Sequence, residues 1–185
     1  MKAHSISTDN TGLKNKIRLR KECIEGLDEV RVLDLFAGEN KIWKNIGADK
    51  YFGIEMEKNK GKNLHANNLK VIPSLDLSEF NVIDCDAYGI PFEQIEALYK
   101  NESLKKGTLI IYTAISSAFS GVNKKCLEEY GLKEMYDKNK VLINKLALPL
   151  FFETLRKKGV KSVTEYEIAG TYVKKYGYFT VQKTL

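Results

Sequence analysis

"VLDLFAGEN", residues 32–40, begins as a buried strand should: Val32, Leu33, Leu35 and Phe36 are apolar. One acid, Asp34, interrupts the run, and Ala37-Gly38 closes it. An apolar strand that carries a carboxylate just before a glycine turn fits a ligand site, because open α/β sheets bind ligands beyond the carboxyl ends of their strands. The next apolar run, "YFGIEM" (Tyr51–Met56), carries Glu55 near its end, 21 positions after Asp34. An acid about 20 residues beyond such a turn suits a ribose-binding βαβ unit, since a carboxylate can accept both ribose hydroxyls.

Outward from this pair, strands and helices alternate. Residues 14–27 have helical spacing, with Gly26 near the stop. Lys41–Ile46 is short and helix-compatible. Residues 57–68 are polar helix or loop, "LKVIPS" (69–74) reads as a third strand and "FNVIDCD" (80–86) as a fourth. Pro91 suits a first helical position. "GTLIIYTAI" (107–115) is a fifth strand, and residues 123–158 are helical in pattern, broken near Gly131 and Pro149. The end is β-branched and aromatic, punctuated by Gly170 and Gly177. No helix separates its two apolar runs, so they pair antiparallel. The expected fold is α/β and Rossmann-like: a mainly parallel seven-stranded sheet with a C-terminal antiparallel hairpin and helices on both faces. Residues 1–13, polar and aperiodic, are expected to be a flexible arm, and 14–185 a single domain.

The totals agree with one domain. The chain has 185 residues, 43% of them hydrophobic and 29% charged, enough for one core. Three scattered cysteines and two distant histidines suggest neither a disulfide framework nor a metal set. No apolar stretch approaches the length of a membrane span or forms a signal core, so the expected compartment is a reducing cytoplasm. Net charge is +6, which favours an anionic partner, nucleic acid first. Lys14, Lys16, Arg18, Arg20 and Lys21 crowd one segment; they form either a phosphate-contacting patch or a solvated helix face.

The turn narrows the ligand. A dinucleotide fingerprint needs two further glycines, where this chain has Asn40 and Trp43, and Glu39 would repel a pyrophosphate. No P-loop pattern occurs. A ligand with cationic centres instead of phosphates suits the acids better, and S-adenosylmethionine, with its sulfonium and ammonium, is one. Here the sequence resembles the class I S-adenosylmethionine-dependent methyltransferases: "VLDLFAGEN" resembles their first motif, "GIE" their second and "FNVIDCDAYGIP" their fourth. The resemblance covers residues 30–115. It implies that Asp34, Phe36 and Gly38 line the methionine end of the cofactor, that Glu55 binds its ribose, and that Asp76 touches the adenine amine. Ala37, Met56 and Asp84 complete the implied cofactor positions. Asn40 stands where the family often has a second glycine, and Asn tolerates left-handed dihedrals better than most residues.

The fourth segment concerns the acceptor. Asp86-Ala87-Tyr88-Gly89-Ile90-Pro91 is similar to the D-P-[FY]-G-x-P segment of tRNA guanine N2-methyltransferases, with Ala87 in place of the first proline. An exocyclic base amine is a poor nucleophile because its lone pair is delocalised into the ring. A carboxylate that accepts its N–H can turn that lone pair toward the methyl, and an aromatic ring can stack on the base. The resemblance thus implies Asp86 as the acceptor and Tyr88 as the platform. Tyr166, Tyr172, Tyr176, Tyr178 and Phe179 form either a target-facing surface beside Lys174 and Lys175 or sheet core. The expected activity is methyl transfer to a base amine, RNA favoured over DNA because no segment reads as a dedicated target-recognition domain. Alternatives stay open: a small-molecule or protein methyltransferase, a nucleotide-binding Rossmann module, or a cofactor-binding subunit whose partner chain supplies target recognition.

Overall fold

The computed structural model describes residues 12–116, 122, 124–168 and 173–182. Its strands are β1 (Arg31–Asp34), β2 (Lys50–Glu55), β3 (Leu64–His65), β4 (Val82–Cys85), β5 (Leu109–Ser116), β6 (Thr164–Ile168) and β7 (Val173–Thr180). They lie in the order β3-β2-β1-β4-β5-β7-β6. Neighbours from β3 to β5 are parallel, and β7 runs antiparallel to both β5 and β6. Six strands have four or more residues; β3 adds only a two-residue ladder, Ile54 beside Leu64 and Glu55 beside His65. The fold is therefore Rossmann-like, a mostly parallel sheet closed by an antiparallel hairpin.

Helices cover both faces. They are α1 (Leu13–Ile24), α2 (Lys41–Ile46), α3 (Asn68–Val71), α4 (Phe92–Lys100), α5 (Lys124–Glu129), α6 (Lys133–Lys138), α7 (Lys140–Lys145) and α8 (Ala147–Lys157). The two-residue period of the strands divides the core. Leu33, Ile83, Ile110 and Tyr112 join Ile95 and Leu98 of α4 and Phe151 and Leu155 of α8. Val32, Val82, Leu109 and Ile111 join Leu19 of α1 and Trp43 of α2 on the other side. Strands buried on both faces must be apolar at nearly every position, as Val32-Leu33, Val82-Ile83 and Leu109–Tyr112 are.

Two segments differ from the sequence reading. Residues 69–74, expected as a strand, form α3 and a 3-10 turn (Ile72–Ser74). A six-residue apolar run does not distinguish strand from helix; the Asn67 side chain decides it by capping the Leu69 amide at 2.9 Å, and Pro73 could not donate to a central ladder. The pairing strand is instead the short β3, inside the polar stretch 57–68. The expected arm also ends early: Gly12 has φ +85° and α1 begins at Leu13, while residues 1–11 lie outside the described residues. The break at Gly131 occurs, with φ +64°, and Pro149 sits in the first turn of α8, beginning a helix instead of kinking one.

Candidate functional site

The site grows from the β1 turn. Gly38 has φ +52° and Asn40 φ +57°, the one left-handed non-glycine among the described residues. The Glu55 carboxylate accepts the Gly38 amide at 2.8 Å and the Glu57 amide at 2.9 Å. Asn63 donates to the Gly38 carbonyl at 2.9 Å. β2 approaches the turn so closely that a Cβ on Gly53 would strike Asn63 Oδ1 and come within 2.8 Å of the Ala37 Cβ. The acid at the end of β2 thus holds the glycine turn and keeps one acceptor position on each oxygen.

On the face covered by α1, the apolar phase Val32, Val82, Ile111 continues two residues on into Asp34, Asp84 and Thr113, and then Asp86. Asp34 and Asp84 are register partners. Wholly buried Arg20 meets Asp84 through two bonds, Nε to Oδ2 at 2.6 Å and Nη2 to Oδ1 at 2.8 Å. Trp43 Nε1 donates to Asp84 Oδ2 at 2.9 Å. Lys16 Nζ donates to both Asp86 oxygens, at 3.0 and 2.7 Å, and Thr113 Oγ1 donates to Oδ1. Asp34 accepts the Phe36 amide at 3.0 Å and the Tyr51 hydroxyl at 3.2 Å.

The charges follow from these neighbours. Burial, then the adjacent Asp84, push the Asp34 carboxyl well above the usual carboxylate range. Burial acts upward on Asp86 too, but Arg20 and Lys16 outweigh it and hold that carboxyl below its usual value. Burial opposes the Arg20 charge, yet Asp84 and Asp86 leave its pKa raised. Burial pushes the Cys23 thiol up to about 12 and also raises Cys85, so neither is a thiolate at neutral pH.

A cavity of about 400 Å³ opens at the carboxyl ends of β1, β2 and β4. Of the cofactor positions expected from sequence, Phe36, Gly38, Glu55 and Met56 line it, as do Asp86 and Tyr88. Asp34, Ala37 and Asp84 are buried and are not on its wall; they brace the turn and α1. Asp76 does not join them. It is exposed, caps the 3-10 turn Leu77–Glu79 by accepting the Ser78 amide at 3.0 Å, and borders a separate hollow.

The five cations do not form one surface. Lys14, Arg18 and Lys21, spaced four and three apart, are exposed, whereas Lys16 and Arg20, four apart, turn inward onto the two aspartates. That is a correction to a single phosphate-contacting patch. Tyr176 and Phe179 are buried core and Tyr178 is half-buried; Tyr172 lies outside the described residues. Sequence reading missed Asn67, Asn68 and Gln94 on the far wall. Asn68 donates to the Leu35 carbonyl at 2.8 Å, tying α3 to β1. For the two asparagines the signal was the polar "HANN" before an apolar run; Gln94, inside α4, gave none. Among the described residues, no group of three or more His, Cys, Asp or Glu could hold a metal ion, and no helix is long and apolar enough to cross a membrane.

No protein-family model and no curated protein sequence matches the chain. Solved structures do. A Haemophilus influenzae protein described as a methylase superposes with a TM-score of 0.54 at 14% identity, over 94% of this chain and 99% of its own. An rRNA methylase from Streptococcus thermophilus gives 0.56 at 10% identity, over 91% and 97%. Haemonchus contortus phosphoethanolamine N-methyltransferase 2, in complex with S-adenosyl-L-methionine, gives 0.54 at 10% identity, over 92% of this chain and 53% of its own. At these identities the likeness is one of fold: the chain has the Rossmann-like fold of these methyltransferases.

Proposed function

We propose that the chain is an S-adenosylmethionine-dependent methyltransferase that acts on an exocyclic amine of a nucleic-acid base, RNA before DNA. One observation carries the reading: a single cavity has the Gly38 turn and Glu55 on one wall and Asp86 and Tyr88 on another. Its volume of about 400 Å³ falls in the range of about 300–1,000 Å³ usual for small-molecule sites. The residues fit the cofactor. Glu55 keeps an acceptor position on each oxygen for ribose hydroxyls, Phe36 and Gly38 flank the methionine end, and Asn67, Asn68 and Gln94 offer amide groups to the adenine. Asp86, Glu55 and Glu57 outnumber Lys16 and Lys60 on the wall, a balance that suits a sulfonium and not a pyrophosphate.

When bound, S-adenosylmethionine supplies a methyl group already activated on sulfur. The protein's part is then positioning. Tyr88, 73% exposed, offers its ring to a base lifted from its stack. Asp86 accepts an N–H of the amine and turns the nitrogen lone pair toward the methyl. A carboxylate held below its usual pKa is a weak base, so Asp86 orients the amine and the proton lost after transfer goes to water. The exposed Lys14, Arg18 and Lys21 face phosphate. Likeness in fold to an rRNA methylase supports RNA. The test is transfer of labelled methyl from S-adenosylmethionine to tRNA, rRNA, DNA and protein pools in parallel. Label should enter an RNA pool and stay on a base amine; label in protein alone would reject the target.

A further inference from the structure

We propose that Lys16 is a positioning residue for Asp86, so that helix α1, N-terminal to the first strand, belongs to the reacting site. The proposal rests on the reading of Asp86 as the amine acceptor. It begins with lone pairs. An ionised carboxylate has about four acceptor positions. Lys16 Nζ occupies one on each oxygen, and Thr113 occupies the second on Oδ1. With donors counted among the described residues, Oδ2 alone keeps a position open, and Arg20 Nη2 stands 3.7 Å from that oxygen. A target amine can therefore give Asp86 one N–H and no more, from one direction. A single fixed acceptor sets the rotation of the amine, which is what aiming its lone pair requires.

Lys16 is not needed to dock the helix. Arg20, one turn on, is wholly buried and makes the two short bonds to Asp84, while Leu19 packs into the core. Lys16 is instead 15% exposed, lines the cavity, and has the Tyr176 ring 5.7 Å from its Nζ. Its ammonium also bears on the charge of Asp86. The groups around that carboxylate are Lys16 and Arg20 on α1, Asp84 and Cys85 on β4, Asp34 on β1, Thr113 on β5 and the Tyr176 ring on β7. The acids and burial favour protonation, and the two cations oppose it. Of the two cations, Arg20 acts more strongly on that charge but makes its two short bonds to Asp84, so Lys16 is the cation hydrogen-bonded to Asp86. Without it the carboxyl should take a proton more readily, lose acceptor capacity and gain a donor that the amine cannot use.

The test is carboxyl-selective carbon-13 NMR titration of the full chain, with Asp86 assigned by Asp86→Asn, beside single-turnover transfer to the pool that accepts methyl. In Lys16→Met, Asp86 should titrate at higher pH than in the parent. The acid limb of the transfer rate should move the same way, and the rate should fall by about 10–10²-fold at neutral pH, with S-adenosylmethionine affinity not weakened. Lys16→Arg should restore the limb. Should the Met variant fail to fold, Lys16→Gln keeps a donor, removes the charge and carries the same expectation. An unmoved Asp86 titration and acid limb in the Lys16 variants, with Asp86→Ala inactive, would overturn the role of Lys16 alone. Asp86→Ala, which removes both oxygens, transferring at the parental rate would overturn the acceptor reading beneath it.

Discussion

Arg20 of α1 and Asp84 of β4, 64 residues apart in the chain, meet as a buried two-bond pair with distances of 2.6 and 2.8 Å. Trp43 of α2 donates to the same carboxylate. This pair closes the α1 face where the apolar phase of the strands ends, and it puts Lys16 beside Asp86. Taking two charges out of water is costly, and three donors on the Asp84 carboxylate, two from Arg20 and one from Trp43, offset that cost.

Removing one partner should therefore be severe. Arg20→Met leaves Asp84 buried without its cation and should cost about 3–5 kcal/mol in urea unfolding. Arg20→Lys should rescue little, since an ammonium cannot reproduce the planar fork. Trp43→Phe keeps the ring and loses one donor, and should cost about 1–3 kcal/mol. A parental urea midpoint for Arg20→Met would show the pair to be dispensable.

The turn makes a different demand. Asn40 is left-handed at φ +57°, where a β-branched side chain clashes. Asn40→Val should cost about 1–2 kcal/mol or more, while Asn40→Gly should be nearly neutral in thermal unfolding. Equal stabilities for the two variants would mean that the dihedral is not maintained in solution.

Acid and base should act oppositely on two neighbours. The Asp86 carboxyl is lowered on folding, so its contribution to stability is present above the ordinary unfolded value of about 3.9 and is lost as pH falls through the lower folded value. The Asp34 carboxyl is raised. Its contribution is present below about 3.9 and is lost as pH rises through the folded value. Relative to the parent, Asp86→Asn should gain stability on acidification, and Asp34→Asn should gain as pH rises above about 4. Urea midpoints across pH for the three proteins check both signs, and flat differences would contradict them.

Exposed cations should matter for the target and not for the fold. Reversing Lys14, Arg18 and Lys21 to Glu should weaken binding to single-stranded RNA and reduce the slope of log affinity against log salt by about 0.7 for each phosphate left without its cation. Stability should stay near parental, since surface substitutions usually change it by about 0.5 kcal/mol or less. An unchanged slope would leave these three as a solvated helix face.

The sheet was legible because strand runs with glycine turns state their own period. β1, β2, β4, β5 and the antiparallel hairpin lie where the apolar runs predicted them. The acid spacing from Asp34 to Glu55 led to the cavity, and Asn40 adopts the left-handed backbone its side chain tolerates. The 69–74 run was misread because six apolar residues fit either period, and the capping Asn67 was the deciding signal. Asp76, assigned to the adenine by the resemblance, instead caps the 3-10 turn that follows. The inward turn of Lys16 and Arg20 was visible in spacing alone: 16 and 20 share one face of a helix, and 14, 18 and 21 another. What no spacing could supply was the partner, because Asp84 and Asp86 reach α1 only through the parallel register of the sheet.

The most direct measurement is titration calorimetry of the intact chain with S-adenosylmethionine, S-adenosylhomocysteine and NAD, repeated on Glu55→Ala. S-adenosylmethionine and its demethylated product should each bind at one site, NAD should give no heat, and Glu55→Ala should lose about 1.5–3 kcal/mol of cofactor affinity. Heat from NAD with none from S-adenosylmethionine would contradict the cavity's assignment, and with it the methyl transfer proposed there.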